Sequence, residues 1–501
     1  MAIEIINWLI ALLQPIVFIS FLLGFLIGLI FGIIPGLTAT LAIALLLPFT
    51  FGMETVQALA TCVAIYASGI YGGGITGTLI NIPGTPGGAI TTLEGYKLTL
   101  RGKAAKALTH GAFSSMIGGV LGTILAIILL EPIARASLVF QTHDKFSLVL
   151  MAIVVVSVLN TESIVKGIIS TALGLMLATI GIDPLLPIPR FTFGVHSLTE
   201  GISLIAAVVG MFAVSEVLRQ IEVGLDLSEL AKRGHQKISR KELVPKREDF
   251  GKIGLKIYPK SALIGFFVGV LPGAGAAMAA LLSYAEAKRS SKHKEEFGEG
   301  SLEGIVAAET ANNAMCPGAI IPMLTFGIPG DSVTAVMLGV LLIHGLIPSP
   351  YIMFEKGNVV GPMLVGLIIS SIMCYVSLLI LGPLYAKILN LKGTVLYPFI
   401  AMIAFVGVYT ATFSIPQLWM ALFIGVATYL LSKADYPSVP FLMGYILGPM
   451  FENYLRTSLS ISKGNPLIFL TSPLSAIFLL LAVIFAYFLG VRLSRVMKSI
   501  Q

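Results

Sequence analysis

Three long stretches of this chain, Pro15 to Pro48, Ala107 to Leu130 and Gly393 to Ser432, contain no Asp, Glu, Lys or Arg. The apolar slab of a bilayer is roughly 30 Å thick and takes about 20 helical residues to cross. Only a helix or a closed barrel satisfies its own backbone there. Each stretch is long enough to cross, and they are too many for a soluble domain with a single anchor. Composition agrees, with 56% hydrophobic and 11% charged residues and a mean hydropathy of +0.95; soluble domains carry roughly 25% charged residues. The expected fold class is an all-α polytopic membrane protein with about 10–12 transmembrane helices, multi-pass in a cell (inner or plasma) membrane.

Other classes fall away on chemistry. The net charge of +7 would point to nucleic acid in a soluble protein, but here the bases sit in loops and set orientation. Cys62, Cys316 and Cys374 lie far apart in apolar segments without metal-ligand spacing, and read as small core residues. The start Met1-Ala2-Ile3-Glu4 lacks the basic region of a cleaved signal, so the first apolar segment is expected to remain in the protein. Gly72-Gly73-Gly74-Ile75-Thr76-Gly77 formally contains GxGxxG, yet it lies inside an apolar segment where a dinucleotide fingerprint has no strand to follow. No P-loop, HExxH or GxSxG occurs, so no enzyme activity and no cofactor are expected, and uphill work must come from an ion gradient or another subunit.

The chain repeats itself. Gly28-x-x-x-Gly32-x-x-Pro35-Gly36 recurs as Gly265-x-x-x-Gly269-x-x-Pro272-Gly273, and Ile82-Pro83-Gly84-Thr85-Pro86 recurs as Ile328-Pro329-Gly330-Asp331-Ser332. Two phrases in the same order divide the chain into residues 1–218, a linker at 219–256 and residues 257–501, an internal duplication of the secondary-transporter kind. The linker carries Lys232, Arg233, Lys237, Arg240, Lys241, Lys246 and Arg247, which places it in the cytoplasm. After the first phrase, Gly52–Thr55 holds only Glu54, whereas its counterpart holds Lys288, Arg289, Lys292 and Lys294; after the second phrase the bases swap to the first copy, at Lys97, Arg101, Lys103 and Lys106. Copies lying upside down relative to each other account for this swap, with Arg456 and Lys463 as mild violations. Between Lys260 and Lys288, the arms Ser261–Leu271 and Ala274–Ala287 are each too short to cross at 1.5 Å per residue. A re-entrant hairpin with Pro272-Gly273 at its tip is expected, matched by one with Pro35-Gly36 at its tip; a Pro-kinked crossing helix is the plainer alternative.

Polar residues at membrane depth are costly and face a bundle interior or watery cavity. Glu309-Thr310-Ala311-Asn312-Asn313 is followed by Pro317-Gly318, which is expected to break the helix beside the two asparagines, and then by Gly330-Asp331-Ser332; the first copy answers with Asn81, Thr85, Thr91 and Thr92, and with Thr38 and Thr40. Broken helices free carbonyls for a cation and amides for an anion. The substrate-site expectation is therefore Thr38, Asn81, Gly84, Thr85, Asn312, Asn313, Gly330 and Ser332. The cation-site expectation is backbone near Gly36, Gly273 and Gly330, with Asp331 as ligand or helix cap. Glu309 is open between a proton or cation ligand and an interfacial residue. Helix-packing glue is the bland alternative for the glycines and asparagines. Glu452 and Arg456 are spaced as a helix-face pair, and the six histidines suggest no metal site.

These phrases resemble the large membrane subunit of the tripartite tricarboxylate transporters. The resemblance runs through Gly32 to Thr40, Tyr71-Gly72-Gly73-Gly74, Asn81 to Pro86, Leu93-Glu94-Gly95-Tyr96, Gly269 to Gly275, Ala308 to Ala314, Gly327 to Gly330 and Gly448 to Asn453. It departs from the family at Thr310, where a Pro is common. It implies cation-coupled uptake of di- or tricarboxylates, citrate-like organic anions, with Na+ or H+ as coupling ion. It further implies an elevator-type arrangement, a partner subunit of about four helices and an extracytoplasmic solute-binding protein; a homodimer is a further assembly open to it. A passive organic-anion channel and a stand-alone carboxylate permease are the alternatives.

Overall fold

The computed structural model describes residues 2–159, 163–224, 242–388 and 393–500. Lys232, Arg233, Lys237, Arg240 and Lys241 of the linker fall outside them. In the first half α1 (Ala2–Leu12) and α2 (Pro15–Ile33) are followed by the short α3 (Ala39–Leu46), then α4 (Thr55–Ile80), α5 (Gly88–Leu100) and α6 (Ala104–Ser137). Next come α7 (Thr142–Leu159), α8 (Ile164–Ala178) and α9 (Leu204–Val223), which contains a π-turn at Gly210–Val214. The second half holds α10 (Arg247–Ile253), α11 (Ile257–Val270), α12 (Gly275–Ser290), α13 (Leu302–Phe326) and α14 (Ser332–Ile343). It closes with α15 (Ile352–Ile388), α16 (Gly393–Thr412), α17 (Ile415–Lys433), α18 (Ser438–Ile461) and α19 (Pro473–Ile500). Among the described residues the departure from all-α is a two-residue ladder pairing Gly181–Ile182 with Pro189–Arg190.

Eight helices among the described residues are long and apolar enough to cross a membrane, or nine if the bent pair α10–α11 counts as one span. That is fewer than the 10–12 expected. Part of the apolar chain is spent on short pieces such as α3, α8 and α14, whose interruptions hydropathy does not register. Proline causes many of these breaks, since it lacks the N–H that the next turn needs.

The duplicated phrases pack alike. Gly32 of α2 lies against α4 so closely that a Cβ there would stand 2.3 Å from the Gly69 carbonyl oxygen; at Gly269 of α11 it would stand 2.3 Å from the Met315 carbonyl oxygen of α13. A Cβ on Gly84 would meet the Gly32 carbonyl oxygen at 2.1 Å, and one on Gly330 would meet the Gly269 carbonyl oxygen at 2.4 Å. Each half thus threads its second broken phrase against the first by the same contact, and only glycine permits that approach. The α11–α12 arms fold back on one another: Lys260 near the start of α11 reaches Glu286 at 2.5 Å and Ser290 at 3.4 Å, both near the end of α12. In the first half Gln57, early in α4, donates to Ser20, early in α2, at 2.7 Å, so α3 and the turn after it have returned to the level where α2 began.

Three polar loops meet at one end of the molecule. Lys97 and Arg101 reach Glu299 at 2.7 and 3.4 Å, Lys252 reaches Glu296 at 2.6 Å, and Lys106 bonds Asp249. Buried Glu94 of α5 locks this end, accepting from Tyr284 Oη at 2.6 Å and from the N–H groups of Gly298, Gly300 and Ser301 at 2.6, 2.7 and 2.8 Å. Elsewhere Glu452 and Arg456 pair as their spacing predicts, at 2.8 Å, and join Asp183 and Arg190. All three cysteines are buried and free.

The sequence placed a helix break beside Asn312 and Asn313. Instead α13 runs unbroken through both, despite Pro317 and Pro322, and stops at Gly327, whose φ of 69° supplies the left-handed residue that ends it.

Candidate functional site

Four helices begin after a Gly/Pro break: α3, α5, α12 and α14. Their entries are shaped locally. Thr38 caps α3, its hydroxyl accepting from Leu41 N–H at 3.2 Å. Asp331 caps α14 in a reciprocal box with Thr334, its Oδ1 accepting from Thr334 N–H at 2.8 Å. Asn81 in the left-handed region (φ 62°) ends α4, and Pro83 to Pro86 lead into α5. Gly273 and Gly275, at φ 70° and 64°, turn the chain from α11 into α12.

These four entries converge on one cavity of about 570 Å³, lined by Gly36 and Thr38, Thr85 and Pro86, Gly273 to Ala277, and Asp331 to Val333. Thr40 Oγ1 and Ser332 Oγ join the two halves at 2.8 Å, and Tyr66 of α4 donates its hydroxyl to Asp331 Oδ2 at 2.8 Å. The buried Thr85 hydroxyl has no hydrogen-bond partner among the described residues. Helix N-termini carry unpaired N–H groups and partial positive charge, so this convergence favours an anion.

The opposite wall comes from residues that sequence reasoning did not single out: Ser215, Glu216 and Arg219 of α9, and Tyr429, Ser432 and Lys433 of α17. Their charges are already engaged. Arg219 Nε and Nη2 donate to Glu216 at 2.9 and 2.7 Å, and Lys433 donates to Glu222 at 2.5 Å. Arg219 opens the linker at 219–256 and Lys433 follows the charge-free run that ends at Ser432; the available signal was Glu216, an acid just inside an apolar stretch.

Of the expected site residues, Thr38, Thr85 and Ser332 line this cavity, as do Gly36, Gly273 and Asp331. Five stand outside its lining. Gly84 and Gly330 sit at the packing crossings described above, and Asn81 is an exposed helix cap. Asn313 donates to the backbone of Glu309 at 3.3 Å, and buried Asn312 packs against Gly87. Among the described residues no group of three His, Cys, Asp or Glu side chains is placed to hold a metal ion.

The tripartite tricarboxylate transporter TctA family matches residues 18–443, most of the chain. The chain belongs to this family. It is a transporter family, not an enzyme family, and its members are the large subunits of tripartite transporters. Among its relatives, an Agrobacterium vitis chain, described as an uncharacterized 52.8 kDa protein in the TAR-I ttuC' 3' region, is 33% identical over 437 residues. That match covers 87% of this chain and 86% of the relative. A second A. vitis protein, from the TAR-II ttuC' 3' region, is 32% identical over 234 residues, covering 46% of this chain and 97% of its own length. No solved structure matches. The broken phrases that frame the cavity, from Gly36 to Ser332, all fall inside the TctA match.

Proposed function

We propose that this TctA-family chain carries di- or tricarboxylates inward across the cytoplasmic membrane, driven by a co-transported cation. The small membrane subunit and an extracytoplasmic solute-binding protein deliver the substrate. The carrying observation is the convergence of four helix N-termini on one cavity whose own cations are paired with Glu216 and Glu222. Amide ends and hydroxyls at Thr38, Thr85 and Ser332 hold the carboxylates. With no spare fixed positive charge in the wall, the coupling cation supplies the compensating charge, near Asp331 and the backbone at Gly36 and Gly273.

The matching contacts of the two halves, and the swap of basic loops between them, support an inverted pair moving against the α9 and α17 wall in an elevator-like cycle. Arg219 leads into the Lys/Arg-rich linker and Lys433 ends α17, which supports a cavity facing the cytoplasmic side.

Uptake into proteoliposomes with a panel of radiolabelled carboxylates and imposed Na+ or H+ gradients tests this. Saturable, gradient-dependent accumulation of a di- or tricarboxylate is expected. Linear flux indifferent to the gradients refutes carrier transport and leaves a channel.

A further inference from the structure

Away from the cavity, α13 buries a carboxylate that the proposed substrate path does not use. Glu309 is 1% exposed and forms no ion pair among the described residues. Its two oxygens are held from the other half of the chain: Thr91 of α5 donates to Oε1 at 2.5 Å, and Ser115 of α6 donates to Oε2 at 2.9 Å. Gly74 of α4 closes the remaining side, where a Cβ would stand 2.4 Å from Oε1. The adjoining void, bounded by Tyr71, Gly74, Thr91 and Gly111, measures about 10 Å³. One water needs at least roughly that much, so a hydrated ion has no place here. An unpaired carboxylate in apolar surroundings is costly, and protonation removes the charge without needing volume.

Among the described residues, the surrounding elements supply no countercharge. Tyr71 of α4 and Cys374 of α15 face Glu309. On α6, His110 is bonded to Asp249 of α10 at 3.2 Å, with Lys106 on the same carboxylate. On α5 and α12, Glu94 and Tyr284 are bonded to each other; on α11, Lys260 is held by Glu286 of α12, and on α14 Asp331 is held by Tyr66. Towards the cavity, Asn312 stands beside Glu309, and its Oδ1 would lie 2.2 Å from a Cβ on Gly87, next to cavity-lining Pro86. Thr91, moreover, rides on α5, whose first turn lies at the cavity.

We propose that Glu309 is a proton-carrying site of the transport cycle, distinct from the Asp331 region and linked to the cavity through Asn312 and α5. The assignment rests on the carboxylate-uptake reading above. A proton from the outer compartment adds to one carboxylate oxygen, giving a neutral acid, and leaves from that oxygen to the inner compartment after the carboxylate is delivered.

The full-length chain, reconstituted together with its small membrane subunit and solute-binding protein in vesicles with an entrapped fluorescent pH dye, tests this with the panel carboxylate that wild type exchanges fastest. Glu309→Gln mimics the neutral acid but cannot release a proton. It is expected to keep carboxylate exchange within about twofold of wild type, lose net uptake at least tenfold, and abolish the lumen acidification that accompanies wild-type uptake. Acidification undiminished in Glu309→Gln, or wild-type uptake that follows an Na+ gradient and moves no protons, overturns the proposal while leaving carboxylate transport standing. Wild type that exchanges no panel carboxylate overturns the transport reading and the proton site with it. Should Glu309→Gln not fold, Ser115→Ala decides. Losing a donor to the charged form raises proton affinity, so the pH midpoint of net uptake should move upward by at least half a unit with exchange unchanged; an unmoved midpoint overturns the proposal.

Discussion

Glu216 faces the proposed substrate cavity yet carries the wrong charge for an anion site. Its carboxylate takes both the Nε and Nη2 donors of Arg219 and a third bond from Gln220 at 2.6 Å. Glu216→Gln keeps the shape, cancels that negative charge and frees the guanidinium for the substrate. Two unit charges 4 Å apart interact by about 1 kcal/mol in water and about 4 kcal/mol at an effective dielectric of 20. Arg219 is 47% exposed, which pulls the gain towards the surface-pair range. About 0.5–1 kcal/mol is expected, or roughly a two- to fivefold lower Kd for a di- or tricarboxylate. Arg219→Gln should weaken binding by a similar factor, because it leaves Glu216 unopposed, and the double variant should return close to wild type. Equilibrium binding of a radiolabelled carboxylate to detergent-purified protein measures all four proteins. At about 1 M salt, where the screening length is about 3 Å, the differences should collapse. Weaker binding in Glu216→Gln, or single variants indistinguishable from wild type at low salt, would refute an anion held against the α9 wall.

Asn81 ends α4 with φ 62°, so Asn81→Ala should lower stability by about 1–2 kcal/mol. Asn81→Gly should restore it, with carboxylate affinity unchanged in both; a melting series with a binding isotherm checks this, and lost affinity would return Asn81 to the substrate site. Cysteines placed singly at exposed positions 54, 101 and 252 test the topology. Impermeant reagent outside intact cells should modify position 54 and spare the other two, and labelling of all three would end the inverted arrangement. The N–H of Leu186, the Arg456 guanidinium and the N–H of Leu185 hold the Asp183 carboxyl at about 2, below its ordinary 3.8. A folded value below the unfolded one gives stability that is complete above the unfolded value and fades as pH falls towards the folded one. The melting-temperature gap between wild type and Asp183→Asn should therefore be full at pH 7 and shrink between about pH 5 and pH 2; a gap independent of pH would show that these contacts do not set it.

Sequence alone settled the solvent of this protein. Charge-free runs from Pro15 to Pro48 and from Gly393 to Ser432 have no soluble interpretation, because burying or exposing so much apolar chain is governed by local composition. The repeated Gly/Pro phrases were legible for a similar reason, since proline and glycine act on backbone geometry wherever they stand. Sequence therefore marked Thr38, Thr85, Asp331 and Ser332, each a few residues beyond such a break. It misjudged continuity near Asn312, where α13 runs on through two prolines, packed against α6, α11 and α12. Which marked residues share one cavity was beyond it. Thr40 and Ser332 are 292 positions apart and meet only because each half folds back through its own glycine crossing. Arg219 and Lys433 gain a place beside the site only because α9 and α17 set them opposite the helix entries. Glu309 was ambiguous in sequence for the same reason: what a carboxylate can do depends on what surrounds it, and Thr91, Ser115 and Gly74 reach it only across the packed helices. Local chemistry is written along the chain, whereas desolvation and countercharge are properties of three-dimensional neighbours, and those the tertiary structure alone decided.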